Sequence, residues 1–108
     1  MKIENFTSSN GNSVPNQFLI TQTDREIFQS YSSIIGLRIF GQKIVLDKNK
    51  WDYSKTTGKY RNQFTGLNKK ETEAAIKEGR IILADLSKLP VETVTFEQIL
   101  ESIVEKED

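Results

Sequence analysis

Leu37-Arg38-Ile39-Phe40-Gly41-Gln42-Lys43-Ile44-Val45-Leu46 decides the fold, because two β-prone runs flank a short pair of turn residues. Gly41 at the first central position suits a type II′ turn, which joins antiparallel strands through a two-residue loop. Such a loop sets Ile39 opposite Ile44 and Leu37 opposite Leu46, with Arg38, Phe40, Lys43 and Val45 on the other face.

Upstream, Phe18-Leu19-Ile20-Thr21 and Glu26-Ile27-Phe28-Gln29 flank Thr23-Asp24 and read as another hairpin, pairing Ile20 with Ile27. Residues 7–16 are mostly Ser, Asn and Gly with one Pro, too polar to bury and rich in turn formers. Residues 1–16 are therefore expected to be a flexible lead-in, and residues 17–108 a single domain.

Downstream of Trp51 the period changes. Thr56 or Thr57 is placed to cap a short helix carrying Tyr60 and Phe64 at i, i+4 and ending at Gly66. Asn68 with Glu71 forms a capping box and Gly79 sits where a helix stops, so residues 69–78 read as a second short helix with a narrow apolar face, Ala75 and Ile76. Arg80-Ile81-Ile82-Leu83-Ala84 is a continuous apolar run too short for a helix, which predicts a central strand covered on both faces. Thr95 with Gln98 makes another capping box, Val94 and Ile99 are spaced as a hydrophobic staple, and Phe96, Ile99, Leu100, Ile103 and Val104 follow helical spacing. Leu100 is expected at the middle of that stripe. Acidic residues in the last turn, Glu105-Lys106-Glu107-Asp108, oppose the helix dipole and predict fraying. The expected fold is α+β: a small, mainly antiparallel sheet of two hairpins and one further strand, with two short helices and a C-terminal amphipathic helix.

Composition narrows the chemistry. The chain has no Cys and no His, which excludes disulfides, thiolate nucleophiles, Cys/His zinc sites and the usual neutral-pH acid–base group. Thr57-Gly58-Lys59 is not a phosphate loop, because Tyr53 stands where the first glycine belongs and Tyr60 where Ser or Thr belongs. Asp47, Asp52 and Asp85 are the candidates for a magnesium site, and acids on a small polar domain are read instead as solvated surface. No cofactor, metal or catalytic residue is expected. No apolar run reaches the roughly 18 residues of a membrane span, and the start lacks a signal-peptide core, so the expected location is the cytosol of the host cell.

Fifteen basic residues balance fifteen acidic ones, which argues against binding by bulk charge. Locally the balance fails: residues 43–61 hold six cations, Lys43, Lys48, Lys50, Lys55, Lys59 and Arg61, against Asp47 and Asp52. Trp51, Tyr53 and Tyr60 interleave with them, and Ser54, Thr56 and Thr57 add neutral donors, the mixture that holds phosphates while rings stack on bases. The competing interpretation makes Trp51, Tyr53, Tyr60 and Phe64 half of the core, with solvated lysines around them. A helix-turn-helix through Thr65-Gly66-Leu67 fits poorly, since the charges of residues 69–78 cancel and base-reading side chains are lacking. Residues 81–108 carry seven acids and two bases, so two oppositely charged regions are available for two-fold self-association or for different partners.

The block Trp51-Asp52-Tyr53-Ser54-Lys55-Thr56-Thr57-Gly58-Lys59-Tyr60-Arg61-Asn62-Gln63-Phe64 resembles a recurrent signature in a family of small bacteriophage and prophage proteins of unknown function. The similarity extends from Asn10 through Phe28-Gln29-Ser30-Tyr31 to Ile82-Leu83-Ala84-Asp85-Leu86, and the tail after Leu89 is less typical. The resemblance implies a phage setting, and with it the cytoplasm of a bacterial host, and carries over no catalytic residue. The expectation is a non-enzymatic accessory protein that associates with nucleic acid through Lys48, Lys50, Trp51, Tyr53, Lys55, Thr56, Thr57, Lys59, Tyr60 and Arg61. The alternatives are a protein-directed, anti-CRISPR-like inhibitor of a host enzyme or defence complex, and a structural virion component.

Overall fold

The computed structural model describes residues 1–105. Its strands are β1 (Lys2–Thr7), β2 (Ser13–Thr21), β3 (Arg25–Ser30), β4 (Ser33–Ile39), β5 (Ile44–Asp47) and β6 (Ile81–Ala84). Its helices are α1 (Lys55–Thr65), α2 (Lys69–Lys77) and α3 (Phe96–Glu105), with a 3-10 turn at Leu86–Lys88. The fold is α+β. The strands lie in chain order in one sheet: β1 to β5 form an antiparallel meander, and β6 pairs parallel to β5. A parallel neighbour requires a crossover, and α1 and α2 supply it.

Residues 1–16, read from composition as a flexible lead-in, instead provide β1 and the start of β2. Asn5 pairs with Phe18 and Ile3 with Ile20, and Phe6 is buried against Phe28 with ring centroids 5.1 Å apart. An edge strand needs few inward apolar residues, so a polar sequence suffices there. The hairpin β2–β3 has the expected register, Ile20 opposite Ile27.

The hairpin β4–β5 forms, but its register differs by one residue. Gln42 N–H donates to the Ile39 carbonyl at 2.9 Å, and Gly41, at φ 86°, occupies the third position of that turn rather than the second. A positive φ at the third position also favours glycine, so the same residue serves a different turn. Leu37 therefore pairs with Val45, and Gly36 with Leu46. One residue of slip exchanges faces: Val45 joins Leu37, while Leu46 points to the opposite side. A bulge in β4, where Phe28 faces Gly36 and Gln29 faces Ile34, then places Ile35 beside Phe28.

Both faces of the sheet are covered. On one lie Phe6, Phe28, Ile35, Tyr60 and Phe64 under α1, continued by Leu46, Ala75 and Ile81 under α2. On the other lie Ile27, Leu37, Val45 and Ala84 with Leu86, Val91, Val94 and Ile99. Arg25, 5% exposed, ties the second layer to β3 by donating to the carbonyls of Val91 and Val94 at 3.0 and 2.7 Å. Capping boxes start α2 at Asn68/Glu71 and precede α3 at Thr95/Gln98, as the sequence predicts. Leu100 departs from expectation: it is 39% exposed, and Ile99 is the buried residue of that turn. The run Ile81–Ala84 is also not central, because β6 is an edge strand whose apolar residues are covered in part by α2 and α3. The predicted fraying after Glu105 falls on residues 106–108, outside the described residues. Among the described residues no helix is long and apolar enough to cross a membrane.

At Gly36 the Phe64 ring of α1 packs directly on the β4 backbone. A Cβ there would lie 2.8 Å from Phe64 Cε2 and 3.2 Å from Leu46 Cδ2, both in buried side chains. Gly36→Ala is expected to cost about 1–3 kcal/mol through overpacking, measured by urea denaturation. An unchanged midpoint would mean that the Phe64 ring moves aside freely.

Candidate functional site

Helix α1 partitions the basic-aromatic segment into an inner and an outer stripe. Ser54 is the N-cap, its hydroxyl accepting from Thr57 N–H at 3.1 Å, and this fixes the phase of the helix. Thr57, Tyr60, Arg61 and Phe64 then recur at i, i+3, i+4 and i+7, and all four are buried. Thr57 Oγ1 lies 3.0 Å from Ser30 Oγ on β3, and Tyr60 is tilted against Phe6. Thr57, Tyr60 and Arg61 thus belong to the protein's interior and are not available as a contact surface. Lys55, Thr56 and Lys59 occupy the outer stripe and are exposed.

Arg61 organises what lies beneath that stripe. It is 1% exposed, and its Nη1 donates at 3.0 Å to both the Trp51 carbonyl and Asp52 Oδ1, while Nη2 donates to Asn62 Oδ1 at 2.9 Å. The guanidinium carbon also sits 5.3 Å from the centroid of the half-buried Trp51 ring. Its Nε is buried without a hydrogen-bond partner. Asp52 Oδ2 pairs with Lys69 Nζ on α2 at 3.0 Å. The hydrogen bond from Lys69, and then that from Arg61, outweigh partial desolvation and hold the Asp52 carboxyl below its ordinary range. Asp52 stays charged at neutral pH and fixes both cations.

Above these pairs is an open cleft of about 510 Å³ lined by Asp52, Tyr53, Ser54, Lys55, Gly58, Lys59, Arg61, Asn62 and Lys69. Its wall carries three exposed lysines, Lys55, Lys59 and Lys69, with the Asp52 carboxylate paired to Lys69 and to the buried Arg61, and it lies along the first turns of α1, where the helix dipole is positive and the helix itself has no acidic residue. Tyr53 is 47% exposed, with Lys50 Nζ 5.5 Å from its ring centroid. This arrangement suits an anion with an attached flat group: ammonium groups and hydroxyls for the charge, one ring face for stacking.

Not every residue of the basic-aromatic segment reaches the cleft. Lys48 lines a separate hollow of about 130 Å³ with Leu83, Ala84 and Ser102, near α3. Lys50 is bonded to Ser33 Oγ at 3.0 Å and borders another depression, with Ser32 and Asn49. Trp51 packs on Arg61 rather than offering a free face. Lys69 joins from outside the segment, and nothing in the local charge pattern marks it, because its contact with Asp52 links the start of α2 to the segment before α1, a whole helix away in sequence. Of the aspartates read as solvated surface, Asp47 is buried at 3% exposure and accepts from Leu86 N–H and Asn49 N–H at 2.8 and 3.1 Å, a structural role.

Neither the curated proteins nor the solved structures contain a match to this chain. One family model matches residues 1–82, from β1 through α2 and into β6, and so covers the crossover helices and the cleft while leaving out α3. By that match the chain belongs to DUF8033, a family of unknown function.

Proposed function

We propose that this chain is a non-enzymatic, phage-type accessory protein of the bacterial cytoplasm that associates with single-stranded nucleic acid. The observation that carries this reading is the cleft at the start of α1, where Lys55, Lys59 and Lys69 stand exposed around Tyr53 with Asp52 already paired. Phosphates are attracted by the ammonium groups and the helix terminus, and an unpaired base stacks on the tyrosine. The phage setting rests on the resemblance of residues 51–64.

The test is fluorescence anisotropy of a labelled oligonucleotide at several salt concentrations. Lys55→Ala with Lys59→Ala is expected to weaken binding and to reduce the slope of log affinity against log salt by about 1.4, at roughly 0.7 per lost single-strand phosphate contact. The melting temperature should not change, since both side chains are exposed. Wild-type protein that fails to bind at low salt would sink the reading.

A second reading, a protein-directed inhibitor, draws on a different feature. An apolar hollow of about 500 Å³, lined by Ile76, Ile81, Ile82, Leu83, Leu100, Ile103 and Val104, runs along the open edge of β6. Glu97 and Glu101 are exposed on the adjoining helix, so the fitting partner is a protein segment that combines apolar and basic side chains. Binding of that kind would survive salt that abolishes phosphate contacts.

A further inference from the structure

Tyr31 stands in a conformation that its own sequence disfavours. β3 and β4 are joined by a two-residue loop, Tyr31-Ser32, closed by the pair Ser30 and Ser33. Tyr31 has φ 54°, at the first central position, where such turns ordinarily use glycine or asparagine. For a bulky residue a positive φ is an outlier with a cost on the order of 1–2 kcal/mol. Buried packing does not offset it, because the residue is 56% exposed.

The surroundings hold this conformation in place. Tyr31 N–H donates to the Asn16 carbonyl at 2.7 Å, and the Tyr31 carbonyl accepts from Gln29 Nε2 at 2.7 Å. Asn16 is itself at φ 65°. Two neighbouring left-handed residues thus brace each other and present a large ring to solvent. Strain of this kind, kept where core packing does not require it, points to a use for the side chain.

Its position indicates the use. Lys50 links this turn to the cleft: its Nζ is bonded to Ser33 Oγ beside Tyr31 and sits over the ring of Tyr53. The depression next to the turn, about 300 Å³, is lined by Ser32, Ser33, Asn49, Lys50 and Ser87 together with the apolar Ile34, Leu86 and Leu89, and by Asp47, whose carboxylate is held by the Leu86 and Asn49 N–H groups. At its rim the Lys50 ammonium and the hydroxyls of Ser32 and Ser33 are groups of the kind that hold phosphate and sugar oxygens.

We infer that Tyr31 is a second base-stacking ring of the nucleic-acid surface, with Lys50, Ser32 and Ser33 holding the adjoining phosphate, so that a single strand runs from the cleft past Tyr53 to the β3–β4 turn. The inference rests on the single-strand reading above, and its experiment separates the two. Anisotropy titrations use labelled oligothymidylate and an abasic strand of equal length, with wild type, Tyr31→Asn, Tyr31→Phe and the Lys55→Ala/Lys59→Ala double variant. Asparagine accepts a positive φ, so Tyr31→Asn should melt no lower than wild type.

Tyr31→Asn should lose about 5- to 150-fold in affinity for oligothymidylate, the range for one stacked base, and keep its affinity for the abasic strand. Tyr31→Phe should bind like wild type. If Tyr31→Asn binds oligothymidylate as wild type does while the double lysine variant is weakened, the inference is wrong and the single-strand reading stands. Equal losses on both strands would also overturn it, since they would trace to the turn's shape rather than to stacking. Wild type that binds neither strand overturns both.

Discussion

Arg61→Ala is expected to destabilise the protein by about 3–5 kcal/mol, a large part of the roughly 5–15 kcal/mol available to a domain of this size. The guanidinium fills the space between α1, Trp51 and Asp52, and three acceptors depend on it: the Trp51 carbonyl, Asp52 Oδ1 and Asn62 Oδ1. Truncation opens a cavity beneath the half-buried indole and leaves the Trp51 carbonyl without its donor. Asp52 would keep only Lys69. Its side chain is 31% exposed, so water replaces part of the lost stabilisation and the lower end of the range is expected. Arg61→Lys should recover little, because one ammonium cannot serve acceptors spread around a planar fork. Urea denaturation with Trp51 fluorescence reads both stability and the local packing. A loss under about 0.5 kcal/mol would mean that the buried guanidinium is not what holds α1 to the segment before it.

How much of this was legible beforehand depends on whether the signal was local. The capping boxes at Asn68/Glu71 and Thr95/Gln98 involve residues three apart, and both helices begin as those boxes indicate. The pairing of Ile20 with Ile27 follows from alternation across a short loop. The β4–β5 register did not follow, because Gly41 satisfies either of two turns and the choice moves every partner by one residue. β1 was hidden because an edge strand that buries little beyond Phe6 is written in the same polar residues as a loop. β6 was misplaced for the opposite reason: its apolar run is that of an edge strand bordered by helices and an open apolar hollow.

The site shows the same division. The surplus of positive charge at residues 43–61 is visible in the sequence, and so is the mixture of rings with lysines. Which of them face outward depends on helix phase, and once Ser54 rather than Thr56 or Thr57 is the cap, positions 57, 60, 61 and 64 turn inward together. The spacing of Tyr60 and Phe64 was legible and already allowed a core role for both, whereas Thr57 and Arg61 are residue types that suit a binding surface as readily as an interior. Lys69 and Tyr31 required three-dimensional proximity, the first from the start of α2 back to Asp52 before α1 and the second through Lys50 to the β3–β4 loop.

Ile99→Ala is expected to cost about 2–5 kcal/mol, whereas Leu100→Ala should stay within about 1 kcal/mol. The two residues are neighbours of equal size on one helix, so propensity and solvation differences largely cancel and the comparison isolates packing. Ile99 is fully buried in the cluster of Ile27, Leu37, Val45, Val91 and Val94 that joins α3 to the sheet, so its truncation removes buried apolar contact and leaves a cavity. Leu100 borders the open hollow beside β6 and already meets water, so its truncation removes little that folding had buried. Thermal and urea melts of the two variants measure the difference. Similar losses would mean that α3 docks through a face rotated from the one described. Oligonucleotide affinity of Leu100→Ala should match wild type, because α3 lies across the sheet from the cleft; a weakened affinity would place the strand on the opposite face and contradict the single-strand surface.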